Sequence, residues 1–424
     1  METLVRKIES QLAGLPVPVA VKLPRGQRVG SSAAAVTLSF QDWAALGTMA
    51  TGRIGRMAED FVESRLELEG QMRDLMAVAE GLLPGTPVNH EAHWWTPMVR
   101  RARSLVLHAT PEKDAQKVQF HYDVSDDFYA LWLDARRVYS CAYYQDPAMS
   151  LAQAQEAKLD HICRKLMLAP GERFLDIGAG WGGLLMWAAE HYGVTATGIT
   201  LSKNQHAYVQ RLIEDKGLQG RVRMELRDYR ELDEAQGYDK IASVGMFEHV
   251  GMANMPAYFG KIERLLKPGG LVMNHGITAG SVHPGQLGAG MGDFIEKYIF
   301  PGGELLHVSH VLRDMAQAGL EMVDTENLRP HYARTLWAWS DALEARLDEA
   351  RQVLRTTGSA SDSDKMLRAY RLYLAGSGMC FEKGWLGLHQ ILATRPDGNP
   401  ETGSLRGAQS AYPFNRGYIY PAPS

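Results

Sequence analysis

RFLDIGAGWGG, residues 173–183, decides how this chain folds. A short β-rich run, Arg173–Ile177, carries Asp176 near its end and passes into glycines at 178, 180, 182 and 183. Glycine lets the backbone turn sharply and lets a ligand approach with no Cβ in the way. A helix that follows such a turn points its N-terminus at that ligand. Outward from this stretch the pattern alternates. Further β-rich runs stand at Val194–Thr200, Arg221–Leu226, Lys240–Val244 and Leu271–Asn274, with helical spacing at Asn204–Lys216 and Met255–Leu266. Alternation of this kind predicts an α/β fold: a parallel sheet with helices on both faces. In such sheets ligands bind beyond the carboxyl ends of the strands.

Gly178, Gly180 and Gly183 fit G-x-G-x-x-G, a pattern shared by dinucleotide sites, S-adenosylmethionine sites and plain tight turns. Two features separate the ligands. Asp176, just before the glycines, would repel a pyrophosphate and suits a cation carrying an ammonium and a sulfonium. A dinucleotide site also wants an acid about 20 residues on to hold the ribose, and the second strand ends Gly198-Ile199-Thr200. The reading is S-adenosylmethionine. Thr200, Ser202 and Gln205 offer ribose hydrogen bonds in place of the missing acid. Asp228-Tyr229, after the third strand, stands where an adenine would lie; a strand-end turn is the equal alternative.

The 424 residues suit one large domain plus a smaller one. A net charge of -4 gives no global basic field, so nucleic acid is not an expected partner. Three cysteines (141, 163 and 380) argue against a disulfide framework and for a reducing compartment. Arg6, Lys7 and Glu9 stand where a signal peptide would need an apolar core, and no apolar run nears the roughly 18 residues of a membrane span. The expected location is cytoplasmic, with peripheral membrane contact.

Residues 1–110 read differently from 111–424. GLPVPVAVKLPRG, a strand-like AVTLSF and a helical run from Asp42 toward Leu75 precede Pro84, Pro87, Trp94, Trp95 and Pro97, whose density marks a linker. Arg100, Arg101 and Arg103 beside those tryptophans suit an anionic lipid surface, with a solvated linker helix as the alternative. The glycine-rich start of residues 281–303 is a lid or a plain surface loop. H-E-x-x-H, C-x-x-C and G-x-S-x-G are all missing, so no metal, protease or lipase site is expected.

Nine segments together resemble the cyclopropane-fatty-acyl-phospholipid synthases, relatives of the mycolic acid methyltransferases. They are HYDVSDDFYALWLD, YSCAYY, AQEAKLDHICRKLMLAPGERFLDIGAGWGG, GITLSKNQ, VGMFEHVG, LKPGG, NHGI, EKYIFPGGELL and HYARTLWAW. In order and spacing they run from about Gln119 to about Arg395, while ESRLELEGQMRDLM gives a looser match in the N-terminal region. The resemblance implies a class I methyltransferase, with a Rossmann-like seven-stranded sheet and a smaller, mainly helical N-terminal domain; lipid capture or dimer contact is the expected role of that domain. It implies that a methylene passes from S-adenosylmethionine to the cis double bond of an unsaturated phospholipid in a bilayer. It also implies placement on the inner face of the cytoplasmic membrane and a homodimer. A methyl-branched or methylene product, or another lipid acceptor, stays open.

The chemistry asks for few groups. An alkene needs no deprotonation before attack, only alignment in a dry pocket. The resulting carbocation is eased by aromatic faces, and Tyr122, Phe128, Tyr129, Trp132, Tyr139, Tyr143, Tyr144, Trp181, Phe247, Trp337 and Trp339 lie near the motifs. A proton must then leave without a strong nucleophile trapping the cation. The resemblance implies bound bicarbonate as that base, held by Cys141, Glu248, His275, Tyr332 and the backbone of Ile277. It places Tyr139 and Ser140 at the methionine end of the cofactor. Blander alternatives stand beside each: an inert thiol for Cys141, a hydrogen-bonded strand-end histidine for His275, a helix-start acid for Glu248, a helix-start aromatic for Tyr332. Ser377 occupies the place of a cysteine once assigned a nucleophilic role in some family members, so no C-terminal thiol nucleophile is expected.

Overall fold

The computed structural model describes residues 2–88, 125–283, 287–356, 359–397, 413 and 415–420. The Trp94–Arg103 region, Tyr122 and the expected boundary near residue 110 lie outside those described. The chain opens with α1 (Glu2–Leu12), β1 (Val19–Lys22), β2 (Arg28–Gly30), β3 (Val36–Phe40), α2 (Trp43–Ala50), α3 (Ile54–Val62), β4 (Leu66–Glu69) and α4 (Met72–Gly81). Its four strands form one sheet in the order β2-β1-β3-β4, with β1 and β3 parallel. The expected helical run from Asp42 is therefore interrupted. Gly52, at φ 63°, separates α2 from α3, and Ser64, at φ 60°, turns the chain into β4. There LELE alternates at the period of a strand, with Leu66 buried against Phe40, its register partner.

Next come α5 (Asp126–Ala130), α6 (Leu151–Lys165), β5 (Arg173–Ile177), α7 (Gly183–Tyr192), β6 (Thr195–Thr200), α8 (Lys203–Asp215), β7 (Val222–Leu226), β8 (Tyr238–Val244), α9 (Met255–Leu265) and β9 (Leu266–Ala279). The chain continues through α10 (Met291–Tyr298), α11 (Val308–Gln317), β10 (Glu321–Asn327), α12 (Arg329–Glu344), α13 (Leu347–Arg355), α14 (Ala360–Glu382) and β11 (Leu386–Thr394). Two compact units result. One gathers the N-terminal elements with Gly285–Pro301 and Leu336–Trp385; the other holds the large sheet, and the division falls inside α12. Within the first unit α3 meets the turn before α10, where Gly55 N donates to Ala289 O at 2.9 Å.

The large sheet has the expected seven strands, in the order β10-β11-β9-β8-β5-β6-β7. β5 pairs in parallel with both β6 and β8, while β9–β11 and β11–β10 are antiparallel. The chain winds one way from β5 through β7 and the other way through β8 and β9. The switch point therefore lies between the ends of β5 and β8, where this topology opens a crevice. Strand residues alternate between two cores: Phe174 packs with Ile162 and Leu185, Leu175 with Ile241 and Phe259.

α6 starts at a capping box, Ser150 with Gln153, and lays an unusual stripe against the sheet. Gln155, Lys158, His161 and Lys165 are all buried. Glu326 on β10 answers two of them, taking His161 Nε2 at 2.8 Å and Lys165 Nζ at 2.6 Å. Burial pushes its carboxyl up, but the His161 hydrogen bond and the Lys165 charge outweigh this and hold it at about 2. Its contribution is thus present above the ordinary glutamate range and is lost as pH falls toward 2. Glu326→Ala strands a buried ammonium, so unfolding in urea at neutral pH should show a loss of about 3 kcal/mol. A loss under roughly 0.5 kcal/mol would mean that Asp324, at 3.4 Å from Lys165, carries the pair instead.

Candidate functional site

The glycine loop lies where the switch point puts it. Gly178 N and Ala179 N donate to Ile199 O at 3.1 and 3.0 Å, tying the loop to the end of β6. Gly178, Gly180 and Gly182 all have left-handed φ values, 79°, 56° and 81°. A side chain at Gly178 would meet Met246, and one at Gly182 would meet Val209. At Gly180 a Cβ would meet nothing within 4 Å. The loop thus keeps an open side that only a bare backbone leaves clear, as the phosphate-free cradle of a nucleoside requires. Gly183 begins α7 against Val138.

Asp176 is buried at the end of β5. Burial pushes its carboxyl up to about 7, with the charge of Lys158 pulling the other way. A cation arriving beside it would restore the ionised form. At the end of β6, Thr200 donates to Gln205 Oε1 at 2.7 Å and accepts from Ser202 N at 3.1 Å, and Ser202 caps α8 through Gln205 N at 3.3 Å. The three expected ribose partners are therefore brought together as one buried polar corner. Asp228 is different. It caps the turn at Tyr229–Glu231, and Arg230 takes both of its oxygens, at 2.8 and 2.7 Å. Tyr229 packs edge-on against Tyr258, with centroids 5.1 Å apart. A strand-end turn is thus present at Asp228-Tyr229, beyond the carboxyl end of β7 where an adenine was expected.

Aromatic rings adjoin the loop. Trp181 Nε1 donates to Asp126 Oδ1 at 3.3 Å, and its ring lies 5.0 Å from Tyr129. Tyr139 packs on Tyr129 and Trp132 at 5.4 and 5.3 Å. Tyr139 leads into Ser140 and Cys141, so one short segment carries the expected cofactor-end residues and the expected thiol.

Cys141 is fully buried and its Sγ donates to Ala142 O at 3.1 Å. Burial drives its pKa far up, so the thiol stays protonated, a donor and not a nucleophile. Thr335 and His331 on α12 lock the segment, through Ala142 N to Thr335 Oγ1 at 3.1 Å and Tyr144 N to His331 Nδ1 at 3.0 Å. Tyr332, on the same helix, is buried.

His275 lies on β9 opposite Gln390 of β11, whose Nε2 is 3.2 Å from His275 Nδ1. Burial, then the Lys158 charge, holds its pKa well down, so the ring is neutral. If the Gln390 amide donates to Nδ1, the ring proton sits on Nε2, a buried atom with no partner among the described residues. His275 shares its face of β9 with Met273, which packs in one core with Leu159 and Ile162 of α6.

Glu248 follows β8. Its Oε1 accepts from Ile277 N at 2.6 Å, while Oε2 is buried with no partner among the described residues. Burial pushes the carboxyl up to about 7, against the pull of the Ile277 hydrogen bond. This closure depends on Gly276, unremarked in the sequence reading. A Cβ there would lie 2.2 Å from Phe247 and 2.8 Å from Glu248 Oε1. Cys141, Glu248, His275, Ile277 and Tyr332 thus share one compact unit, and two of them present unsatisfied buried polar atoms. An imidazole, a phenol and a carboxyl whose pKa is pushed up to about 7 are groups that fit a small oxyanion. Trp337 and Trp339 belong to the other unit.

Lys158 and Gln155 are site-facing residues that sequence reasoning passed over. Gln155 Nε2 donates to Val138 O at 3.3 Å and Ser140 O at 2.9 Å; Lys158 Nζ donates to Ser140 Oγ at 2.8 Å. Their residue types read as the solvent face of a helix, so the sequence carried no signal for them.

Residues 109–391 match the family model described as mycolic acid cyclopropane synthetase. A Pseudomonas putida protein named "Probable fatty acid methyltransferase" is 41% identical over 93% of this chain and 96% of its own. "Cyclopropane mycolic acid synthase 1" of Mycobacterium tuberculosis is 38% identical over 65% of this chain and 95% of its own. Among solved structures, the cyclopropane synthase MmaA2 from Mycobacterium tuberculosis superposes with a TM-score of 0.60 at 33% identity, covering 66% of this chain and 98% of that one. Mycolic acid cyclopropane synthase CmaA1, complexed with S-adenosylhomocysteine and CTAB, gives 0.60 at 36% identity over the same shares.

Proposed function

The chain belongs to the mycolic acid cyclopropane synthetase family, and from that premise we propose that it adds a methylene across the cis double bond of an unsaturated phospholipid acyl chain. It is an S-adenosylmethionine-dependent methyltransferase of a lipid-acting family. When bound, S-adenosylmethionine supplies an electrophilic methyl group. The open side of Gly180, the Asp176 carboxylate and the Thr200–Ser202–Gln205 corner are the groups that fit it. Tyr139 and Ser140 stand at its methionine end.

The observation that carries the finer reading is the pair of unsatisfied buried atoms, Glu248 Oε2 and His275 Nε2. A methyl transfer to an oxygen or nitrogen acceptor would want a base aimed at that acceptor. Here a neutral imidazole, a carboxyl pushed up to about 7 and a protonated thiol belong to one compact unit and would line one small space. Bicarbonate held there supplies a weak base, one that a neighbouring carbocation does not alkylate as readily as a carboxylate. Glu248, fixed by Ile277 N, orients that anion through the proton it shares with it. Tyr139 packs on Trp132 and Trp181 on Tyr129, aromatic surface beside the glycine loop that would exclude water from the transfer. The name of the Pseudomonas putida relative favours an acyl acceptor. A methyl-branched or methylene product is the second reading. The enzyme would act on bilayer lipid from the membrane surface; among the described residues no helix is long and apolar enough to cross a membrane.

Purified protein given cis-unsaturated phospholipid vesicles and S-adenosylmethionine should yield lipid heavier by one CH₂, with ring methylene protons resonating upfield of the acyl methyl groups. A product of that mass lacking those resonances establishes the branched reading. No product, with cofactor binding retained, removes the cyclopropane claim and leaves the methyltransferase.

A further inference from the structure

Four polar residues on the inward face of α6 need partners, because an unpaired buried charge is among the costliest features a fold carries. His161 and Lys165 have Glu326. Gln155 has two backbone carbonyls. Lys158 is 2% exposed, and its hydrogen-bond partner among the described residues is a neutral hydroxyl, Ser140 Oγ. Asp134 and Asp176 act on its charge, but from outside ion-pair distance. A buried ammonium held by a hydroxyl, with carboxylates only at longer range, is a charge the resting fold does not use.

The anion pocket has the opposite deficit. Cys141 is a neutral thiol, His275 a neutral ring and Glu248 an acid, so none of them supplies a positive charge. Lys158 is the cation common to Cys141, His275 and Asp176, with Lys165 and His161 also acting on His275. Its anchor, Ser140, is the residue before Cys141. Resting on the function proposed above, the balance closes: a sulfonium and Lys158 on one side, Asp176 and an oxyanion on the other. Neither pair alone is neutral in a site that excludes water.

We propose that Lys158 is a positioning residue of the transfer site, its ammonium fixing the Tyr139–Cys141 segment through Ser140 and supplying the charge that lets an oxyanion occupy the pocket beside His275. The resting enzyme bears the mark of this arrangement. Burial pulls the pKa of Lys158 down to about 8, only partly offset by the charges around it. An anion beside it would raise that value again.

Three readouts on Lys158→Met and Ser140→Ala test the assignment. Methionine keeps the length of the side chain and drops its charge; alanine keeps the charge and drops the anchor. Unfolding of Lys158→Met should begin no lower than that of the parent, since a buried charge is gone. Its half-saturating bicarbonate concentration, measured in carbon-dioxide-free buffer, should rise at least tenfold. Calorimetry should show its preference for S-adenosylmethionine over S-adenosylhomocysteine rising about threefold or more, because Asp176 loses a competing cation next to the sulfonium. Ser140→Ala should raise the bicarbonate requirement by a smaller factor and leave the sulfonium preference unchanged. A Lys158→Met enzyme with the parent's bicarbonate requirement and the parent's cofactor preference overturns the proposal. If the parent itself ignores added bicarbonate, the anion reading falls, and the cofactor preference alone then decides for or against Lys158. Should Lys158→Met not fold, Ser140→Ala with an unchanged bicarbonate requirement overturns it.

Discussion

Glu248→Gln should lower kcat by about two orders of magnitude while the dissociation constant for S-adenosylhomocysteine moves less than about threefold, the ratio expected when a proton-handling group is lost. Glutamine keeps the shape and keeps an oxygen for Ile277 N, which binds Glu248 Oε1 at 2.6 Å. What it cannot do is exchange a proton. The carboxyl has been pushed up to about 7 by burial, so in the working range the parent passes between acid and carboxylate. Below 7 it presents a proton to an oxyanion; above 7 it repels one. The substitution should therefore also remove the limb of the pH–rate profile that falls as pH rises through about 7.

A second readout separates chemistry from folding. A carboxyl whose folded value lies above its unfolded one binds the extra proton only in the native state, so its ionisation lowers stability as pH rises through that interval. Glu248→Gln should flatten the fall in stability between the ordinary glutamate range and about 7. Unchanged turnover would remove Glu248 from the site. A stability profile that also stays unchanged would mean that the carboxyl is not buried in solution.

Much of this was legible because parallel strands covered on both faces advertise themselves as apolar runs. Arg173–Ile177 is β5 to the residue, and the runs read as the second, third and fourth strands fall within two residues of β6, β7 and β8. β9 is longer than read because LKPGG joins it, with Leu266 in register with Tyr238. β10 carries no such signal: EMVDTEN is half exposed at the sheet edge and holds the carboxylates that α6 requires. The N-terminal sheet was seen only at β3, since β1 hides between prolines and β4 is four residues long.

The site divides along similar lines. Asp176, near the end of β5, and Glu248, after β8, were expected from topology, because chemistry collects where strands stop; His275 was read as a strand end and lies within β9, which runs on to Ala279. Lys158 was not, since a lysine within AQEAKLDHICRK reads as the wet side of a helix. Only tertiary packing shows that α6 turns that side inward. Asp228-Tyr229 was read as an adenine neighbour or a strand-end turn with equal weight; the structure shows Asp228 capping that turn, with Arg230, two residues on, taking its oxygens.

Gly180→Val should abolish measurable S-adenosylhomocysteine binding, a loss of at least about a hundredfold, in a protein that still folds. The backbone there has φ 56° and nothing lies within 4 Å of where a Cβ would stand, so the fold is charged only the left-handed strain, roughly 1–2 kcal/mol. The side chain would project into the space that the loop keeps open. Gly198, one strand over, makes the matching control. Its Cβ would stand 2.8 Å from Ala179 Cβ, 2.9 Å from Leu185 Cδ2 and 3.0 Å from Met224 Sδ, so Gly198→Val should damage packing between β6 and α7 and lower the unfolding midpoint sharply. The two glycines are there for opposite reasons, one to leave room for a ligand and one to let the chain close on itself. Calorimetry on both, with thermal unfolding alongside, reads the difference: affinity lost with stability kept at 180, stability lost at 198. If Gly180→Val binds the nucleoside as the parent does, the open face of the loop is not the cradle, and the cofactor must lie elsewhere along the crevice between β5 and β8.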